Sequence, residues 1–377
     1  MIELEDKYAD IRPYNDDEVA TSLKRLIDDN AFIDVIAKYN LPRILSAIPF
    51  VARPLIRQQL RKKWGQINSV EDVQNEVAKY LNKLVKRTTS EVTFSGVDKL
   101  DPNQAYLFIS NHRDIVLDPA LVNWGLFQHK MKTVRIAIGD NLLQRPYITE
   151  LMRLNKSFIV KRSAKAPKEM LKALTQLSSY IYDSLTAGNS IWIAQKEGRA
   201  KDGVDQTDPA LLKMLQLNGR KQKKEFGDYI KELKIVPVSI SYQYEPCAIA
   251  KAKELYHKQH HGQYVKSVGE DIASIVEGFS SSKGHIHLAF GQPIESHCDS
   301  ADELAKTIDK QIIDSFYLHP GNFIAGGCTE AVINKADAAK FAKRMDKVPE
   351  ELKPLVLAMY AKPYHRKAEV NIKSCEH

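Results

Sequence analysis

From Ser110 to Leu121 the chain reads SNHRDIVLDPAL, directly after an apolar run, AYLFI, with the composition of a buried strand. Leaving the core, the chain at once presents Asn111, His112, Arg113 and Asp114, with a further acid at Asp118. A neutral imidazole hydrogen-bonded to a carboxylate is a general base of suitable pKa. The carboxylate holds the ring in one tautomer and stabilises the imidazolium that forms. Asp114 and Asp118 both compete for that place, and either also suits the cap of a helix opening near Ile115.

Three other stretches place chemistry at strand ends. SFIVKR ends on Lys161 and Arg162, IWIAQKEGRAKDG carries Lys196, Glu197, Gly198 and Arg199, and KIVPVSI holds Pro237 inside an apolar run. Proline lacks a backbone donor, so Pro237 predicts an edge strand or a bulge. In a parallel sheet the strand ends share one rim, so His112, Arg162, Glu197 and Arg199 are expected to converge despite their separation in sequence. Two arginines suit bidentate recognition of a phosphate, and a carboxylate beside them suits a glycerol or sugar-like hydroxyl.

The elements that must position these groups are legible as alternation. EVTFSG, AYLFI, TVRIAI, SFIVK, SIWIAQ, IVPVSISYQY and HIHLAFG are short strand-like runs, separated by helix-like segments, notably 117–130, 167–186 and 246–260. The expected fold is α/β, a mostly parallel central sheet flanked by helices, with ligands outside the strand carboxyl ends. Residues 16–88 read as helical from the spacing of Leu23, Leu26, Ile27, Phe32, Ile33, Val35 and Ile36, and Ser69 with Asp72 reads as a capping box. Within this region LPRILSAIPFVARPLIRQQLRKKW, residues 41–64, carries Arg43, Arg53, Arg57, Arg61, Lys62 and Lys63 and no acid, and its three prolines predict short pieces rather than one helix. It reads either as a helix packed behind a basic solvated face or as an interfacial anchor on lipid phosphates. The expected organisation is a helical region over 1–90, a main domain over 91–320 and a helical tail over 321–377.

With 44% hydrophobic and 27% charged residues among 377, the chain can bury a large core. A net charge of +8 favours anionic partners. Cys247, Cys298, Cys328 and Cys375 are widely spaced, which predicts neither a disulfide framework nor a zinc site. No metal is expected at His285 and His287 or at His260 and His261, where acids or cysteines at ligand spacing are lacking. No nucleic-acid module, P-loop or dinucleotide fingerprint is present. No spanning helix or signal peptide is expected, so a membrane partner is expected to be met at its surface.

Taken together, NHRDIVLD, FIVKR, EGRAK and VPVSI resemble, in order, the four sequence blocks of the glycerolipid acyltransferases, the glycerol-3-phosphate and lysophosphatidic acid acyltransferases. The resemblance spans about residues 107 to 242. It implies that His112, oriented by Asp118, deprotonates an acceptor hydroxyl that attacks an acyl-CoA or acyl-carrier-protein thioester directly. It implies Arg162 and Arg199 on the acceptor phosphate, Glu197 with Gly198 at its glycerol portion, and Pro237 lining the acyl channel, with no cofactor. The implied acceptor is lysophosphatidic acid, giving phosphatidic acid, with glycerol-3-phosphate or a lyso-aminolipid as alternatives. The implied place is peripheral, at the cytoplasmic face of an anionic membrane. Two departures stand out: five residues rather than four separate His112 from Asp118, and Arg199 follows Gly198 directly. LDPAL matches the usual surroundings of the family's acid and favours Asp118 over Asp114. The longer loop keeps open a silent lipid- or carrier-binding protein, and the same base acting on water would make a thioester hydrolase.

Overall fold

The computed structural model describes residues 7–42, 45, 48–267, 269–328 and 333–375. In chain order the elements are α1 (Asp16–Asp28), α2 (Asn30–Asn40), α3 (Pro49–Trp64), α4 (Val70–Thr88), β1 (Thr89–Ser95), β2 (Leu107–Ser110), α5 (Leu117–Gln128), β3 (Arg135–Gly139), α6 (Pro146–Leu154), β4 (Ser157–Val160), α7 (Pro167–Thr186) and β5 (Ile191–Ala194). There follow α8 (Pro209–Leu215), α9 (Leu217–Lys221), α10 (Phe226–Glu232), β6 (Ile235–Tyr242), α11 (Ala248–His261), α12 (Glu270–Ser280), β7 (Gly284–Phe290), α13 (Ala301–Ser315), α14 (Pro320–Ala325), α15 (Lys335–Met345) and α16 (Lys353–Cys375). Each of the seven strand-like runs in the sequence forms a strand.

The chain divides into two compact units. One comprises the described residues up to Tyr80 together with Arg135–Leu177. Its helical core joins Leu23, Leu26 and Ile27 of α1 to Phe32 and Ile33 of α2 and Ala52, Ile56 and Leu60 of α3, while Val35 stays exposed. The Ser69–Asp72 box forms as the sequence predicts: the Asp72 amide donates to Ser69 Oγ at 3.1 Å and the Ser69 amide to Asp72 Oδ2 at 3.0 Å. The strands of this unit, β3 and β4, pair in parallel.

The expected break-up of residues 41–64 is corrected. Pro49 to Trp64 is one helix that continues through Pro54. Pro49 occupies its first turn, where a backbone donor is not needed, so only Pro54 removes a helical bond. Several of its cations are engaged within the unit: Arg53 binds both carboxylate oxygens of Asp34 at 2.8 Å, Arg57 donates to the Ile27 carbonyl and Asn30, and Lys63 pairs with Glu76 at 2.6 Å. Phe50 and Leu55 face solvent. Arg43 lies outside the described residues.

The other unit runs over Leu81–Val134 and from Ser178 onward. Its strand order is β1-β7-β6-β2-β5, parallel throughout except for the antiparallel β6–β7 pair. All four residues of β2 and all eight of β6 are buried, as expected for interior strands covered on both faces. The sheet is therefore mostly parallel and flanked by helices.

The edge expected from Pro237 is also corrected, because β6 lies between β7 and β2. Pairing with β7 begins only at Val238–Phe290, so the missing donor of Pro237 falls where that ladder stops. Its carbonyl still accepts the Gly291 amide at 2.8 Å. An interior strand thus tolerates proline at the end of one of its two ladders.

His285 and His287 share a face of β7, and both rings lie 2.7 Å from the Thr93 hydroxyl. His319, fully buried, packs edge-on against His285 with ring centres 5.1 Å apart. Burial holds all three below the ordinary histidine range, with His319 lowered to about 3. Their folded pKa values lie below the unfolded value, so this stability is complete above pH ~6.5 and is lost as pH falls from there toward the folded values. His319 alone contributes a slope of about 1.4 kcal/mol per pH unit across that window. Urea midpoints measured between pH 7 and pH 5 are expected to fall steeply, and His319→Gln is expected to flatten the dependence.

Candidate active site

The site grows from the carboxyl end of β2. Asn111 continues the strand with its side chain instead of its backbone. Its Oδ1 accepts the Ile240 amide at 2.7 Å and its Nδ2 donates to the Ile240 carbonyl at 2.9 Å. That double bond to β6 fixes where the loop leaves the sheet, and His112 follows immediately.

His112 Nδ1 lies 2.8 Å from Asp118 Oδ2. Asp118 stands in the first turn of α5, fully buried, and accepts three further bonds. The amides of Arg113 and Asp114 donate to its Oδ2 at 2.5 and 2.9 Å, and the Tyr242 hydroxyl donates to its Oδ1 at 2.6 Å. Burial alone would raise the Asp118 pKa, but the bonds from His112, Tyr242 and the loop amides outweigh it and hold the carboxyl below its ordinary value. The same charge, with burial foremost, drives the Tyr242 phenol well above its ordinary range. The His112 ring meets Trp192 edge-on with centres 5.6 Å apart, and the Trp192 N–H is fixed on Ser110 Oγ at 3.0 Å.

Asp114 takes the other place open to it. Its Oδ1 accepts the amides of Val116 and Leu117 at 3.1 and 2.9 Å, which caps α5. Burial, then the neighbouring Asp118 charge, raises its pKa.

Arg113 turns away from the imidazole into a buried ionic network. Its guanidinium holds both oxygens of Asp205 and donates to Glu245 at 2.9 Å. Lys251 bonds Glu245 at 2.6 Å and the Arg113 carbonyl at 2.7 Å. Two cations and two anions therefore balance beneath the loop.

Beyond β5 the chain turns through Glu197, Gly198 and Arg199. Gly198 adopts φ +77°, a left-handed conformation that disfavours side chains although the space beside it is open. The Ala200 amide donates to the His112 carbonyl at 2.8 Å, tying this turn to the His112 loop. Arg199 reaches Ser274 Oγ of α12 at 3.4 Å, and Glu197 is exposed. His112, Asp118 and the 197–199 turn are thus brought together. Pro237 is not: strand alternation places it on the face of β6 opposite Tyr242, whose hydroxyl serves Asp118. Arg162 belongs to the first unit, where its amide donates to Asp140 Oδ1 at 3.1 Å and its side chain passes close to Gly139.

Sequence reasoning passed over Tyr242, Trp192 and the partners of Arg113. Alternation along VSISY does place Tyr242 on the face of Val238 and Ile240, but only the fold shows which acid it meets.

Residues 91–242 match the family model described as Acyltransferase. No curated protein matches the chain. Among solved structures, the chain is similar to the 1-acyl-sn-glycerophosphate (LPA) acyltransferase PlsC from Thermotoga maritima, at 14% identity and a TM-score of 0.40, over 64% of this chain and 78% of that one. That likeness is too distant to bear on fold or chemistry. The likeness to the acyltransferase family is thus carried by residues 91–242, the stretch that holds His112, Asp118 and the 197–199 turn.

Proposed function

We propose that this protein transfers an acyl group from an acyl-CoA or acyl-carrier-protein thioester to a hydroxyl of a phosphorylated glycerolipid, with lysophosphatidic acid, converted to phosphatidic acid, as the preferred acceptor. The reading rests first on the His112–Asp118 pair. With Nδ1 held on a buried carboxylate, Nε2 is the ring nitrogen that takes the acceptor proton. The acceptor oxygen attacks the thioester carbon, the thiolate leaves, and the imidazolium returns its proton to that sulfur. Arg199 holds the acceptor phosphate and Glu197, beside Gly198, its glycerol part. The roles of Arg162 on the phosphate and of Pro237 in the acyl channel rest on the resemblance of their sequence blocks alone. An acyltransferase domain over 91–320, a helical region before it at the bilayer surface and a helical tail after it complete the proposed organisation.

The longer His–Asp loop, which had favoured a silent binding protein, does not separate the pair. Within it the amides of both Arg113 and Asp114 converge on Asp118.

Purified protein offered palmitoyl-CoA with lysophosphatidic acid, glycerol-3-phosphate, a lyso-aminolipid or no acceptor is expected to acylate lysophosphatidic acid, read by mass spectrometry. Free fatty acid formed equally without acceptor would instead mark a hydrolase, and silence with both CoA and carrier-protein donors would overturn the proposal.

Tyr242→Phe tests the tuning of the base. The variant removes the donor on Asp118 Oδ1 and leaves that buried oxygen unbonded, which weakens the support of the carboxylate that holds His112. Transfer at neutral pH is expected to fall roughly three- to tenfold with KM within about twofold of wild type. An unchanged rate would remove Tyr242 from the mechanism.

A further inference from the structure

Helix α12 carries its polarity inside out. Ser274 and Gly278 are buried, whereas Ile272, Val276 and Phe279, one helical stripe, are 40%, 59% and 36% exposed. A helix packed on a soluble domain ordinarily shows the reverse. The inner side has a reason to be small and polar. Ser274 Oγ accepts from Arg199, and a Cβ on Gly278 would come within 2.7 Å of Asp114 Oδ2, so the helix fits closely over the site. The outer side has no such reason within the unit.

The surroundings indicate what covers it. Arg87, at the end of α4, donates to the Phe279 carbonyl at 3.3 Å, which puts the carboxyl-terminal part of α4, with its exposed Lys83 and Lys86, next to the carboxyl end of α12. Of the three acids of α12, Glu270 accepts from Tyr264, Asp271 pairs with Lys266 at 2.7 Å and Glu277 is half-buried. Three part-exposed side chains offer on the order of 300 Å², well short of the ~800 Å² per partner of an ordinary protein interface. An apolar ridge of that size flanked by cations suits shallow insertion into an anionic bilayer.

We propose that α12 docks this unit on an anionic lipid surface, with Ile272, Val276 and Phe279 among the acyl chains and Lys83 and Lys86 at the headgroups. A lipid acceptor then enters beside Arg199 without leaving the membrane. This rests on the lipid-acceptor reading above, and the test separates the two.

Full-length protein is floated with phosphatidylcholine vesicles, with and without phosphatidylglycerol, alongside Ile272→Ser/Val276→Ser/Phe279→Ser and the single variant Val276→Asp. A charge on the water side of a helix leaves folding intact but resists the bilayer, so the single variant guards against a folding loss. Both variants are expected to bind anionic vesicles ~10-fold less than wild type at unchanged melting temperature. Transfer to a vesicle-embedded acceptor should fall with them, while transfer to a short-chain monomeric acceptor is retained. Wild-type flotation by both variants overturns the proposal. If wild type transfers to no acceptor at all, the functional reading fails while flotation still decides the docking.

Discussion

His112→Ala is expected to lower kcat/KM for acyl transfer by about 10²–10⁴, the range that general-base assistance supplies. No neighbour can take over. Asp118 lies wholly buried with its oxygens committed to two loop amides and the Tyr242 phenol. Asp114 is buried too, and one of its oxygens caps α5. The lost imidazole leaves the acceptor hydroxyl to attack with its proton on, and the rate that remains comes from positioning alone. Steady-state kinetics with the preferred acceptor, together with donor binding measured separately, checks this: binding within about twofold of wild type and a collapsed rate assign the loss to the chemical step. A rate near wild type would end the proposed mechanism.

The second large effect is on stability. Arg113→Ala is expected to cost about 3–5 kcal/mol, because it strands Asp205 and Glu245 below the surface with Lys251 as the remaining cation. Burial disfavours the guanidinium, yet the two carboxylates more than offset that and raise the Arg113 pKa, so the guanidinium stays charged. Arg113→Lys supplies charge without the fork that meets both Asp205 oxygens, and is expected to recover only part of the loss. Urea unfolding followed by circular dichroism measures both variants. A cost below about 1 kcal/mol for Arg113→Ala would mean that the network is solvated rather than buried.

How much of this was legible beforehand divides along physical lines. Strand positions were readable because burial on both faces demands continuous apolar runs such as LFIS and IVPVSISY, and chemistry stood out because polar residues such as His112 and Glu197 follow them at once. Helix α3 was misread because proline's cost depends on its distance from the helix start, which only a known start reveals. Pro237 was misread for a parallel reason: the rule concerns ladder hydrogen bonds, and the length of β7, not the local sequence, decides whether one is missing. Arg113 carried no local signal. Its partners Asp205, Glu245 and Lys251 lie some 90 to 140 positions away along the chain, among many other charged residues.

The four donors gathered on Asp118 have a further consequence, for the dynamics of the proposed step. In water, a carboxylate facing a newly formed cation would have to turn a shell of solvent dipoles as the charge moved, and that turning is part of the barrier. Here the shell is made of two backbone amides, a phenol and the imidazole itself, all in place before the proton leaves the acceptor. Charge separation then proceeds against a nearly frozen environment with little reorganisation energy.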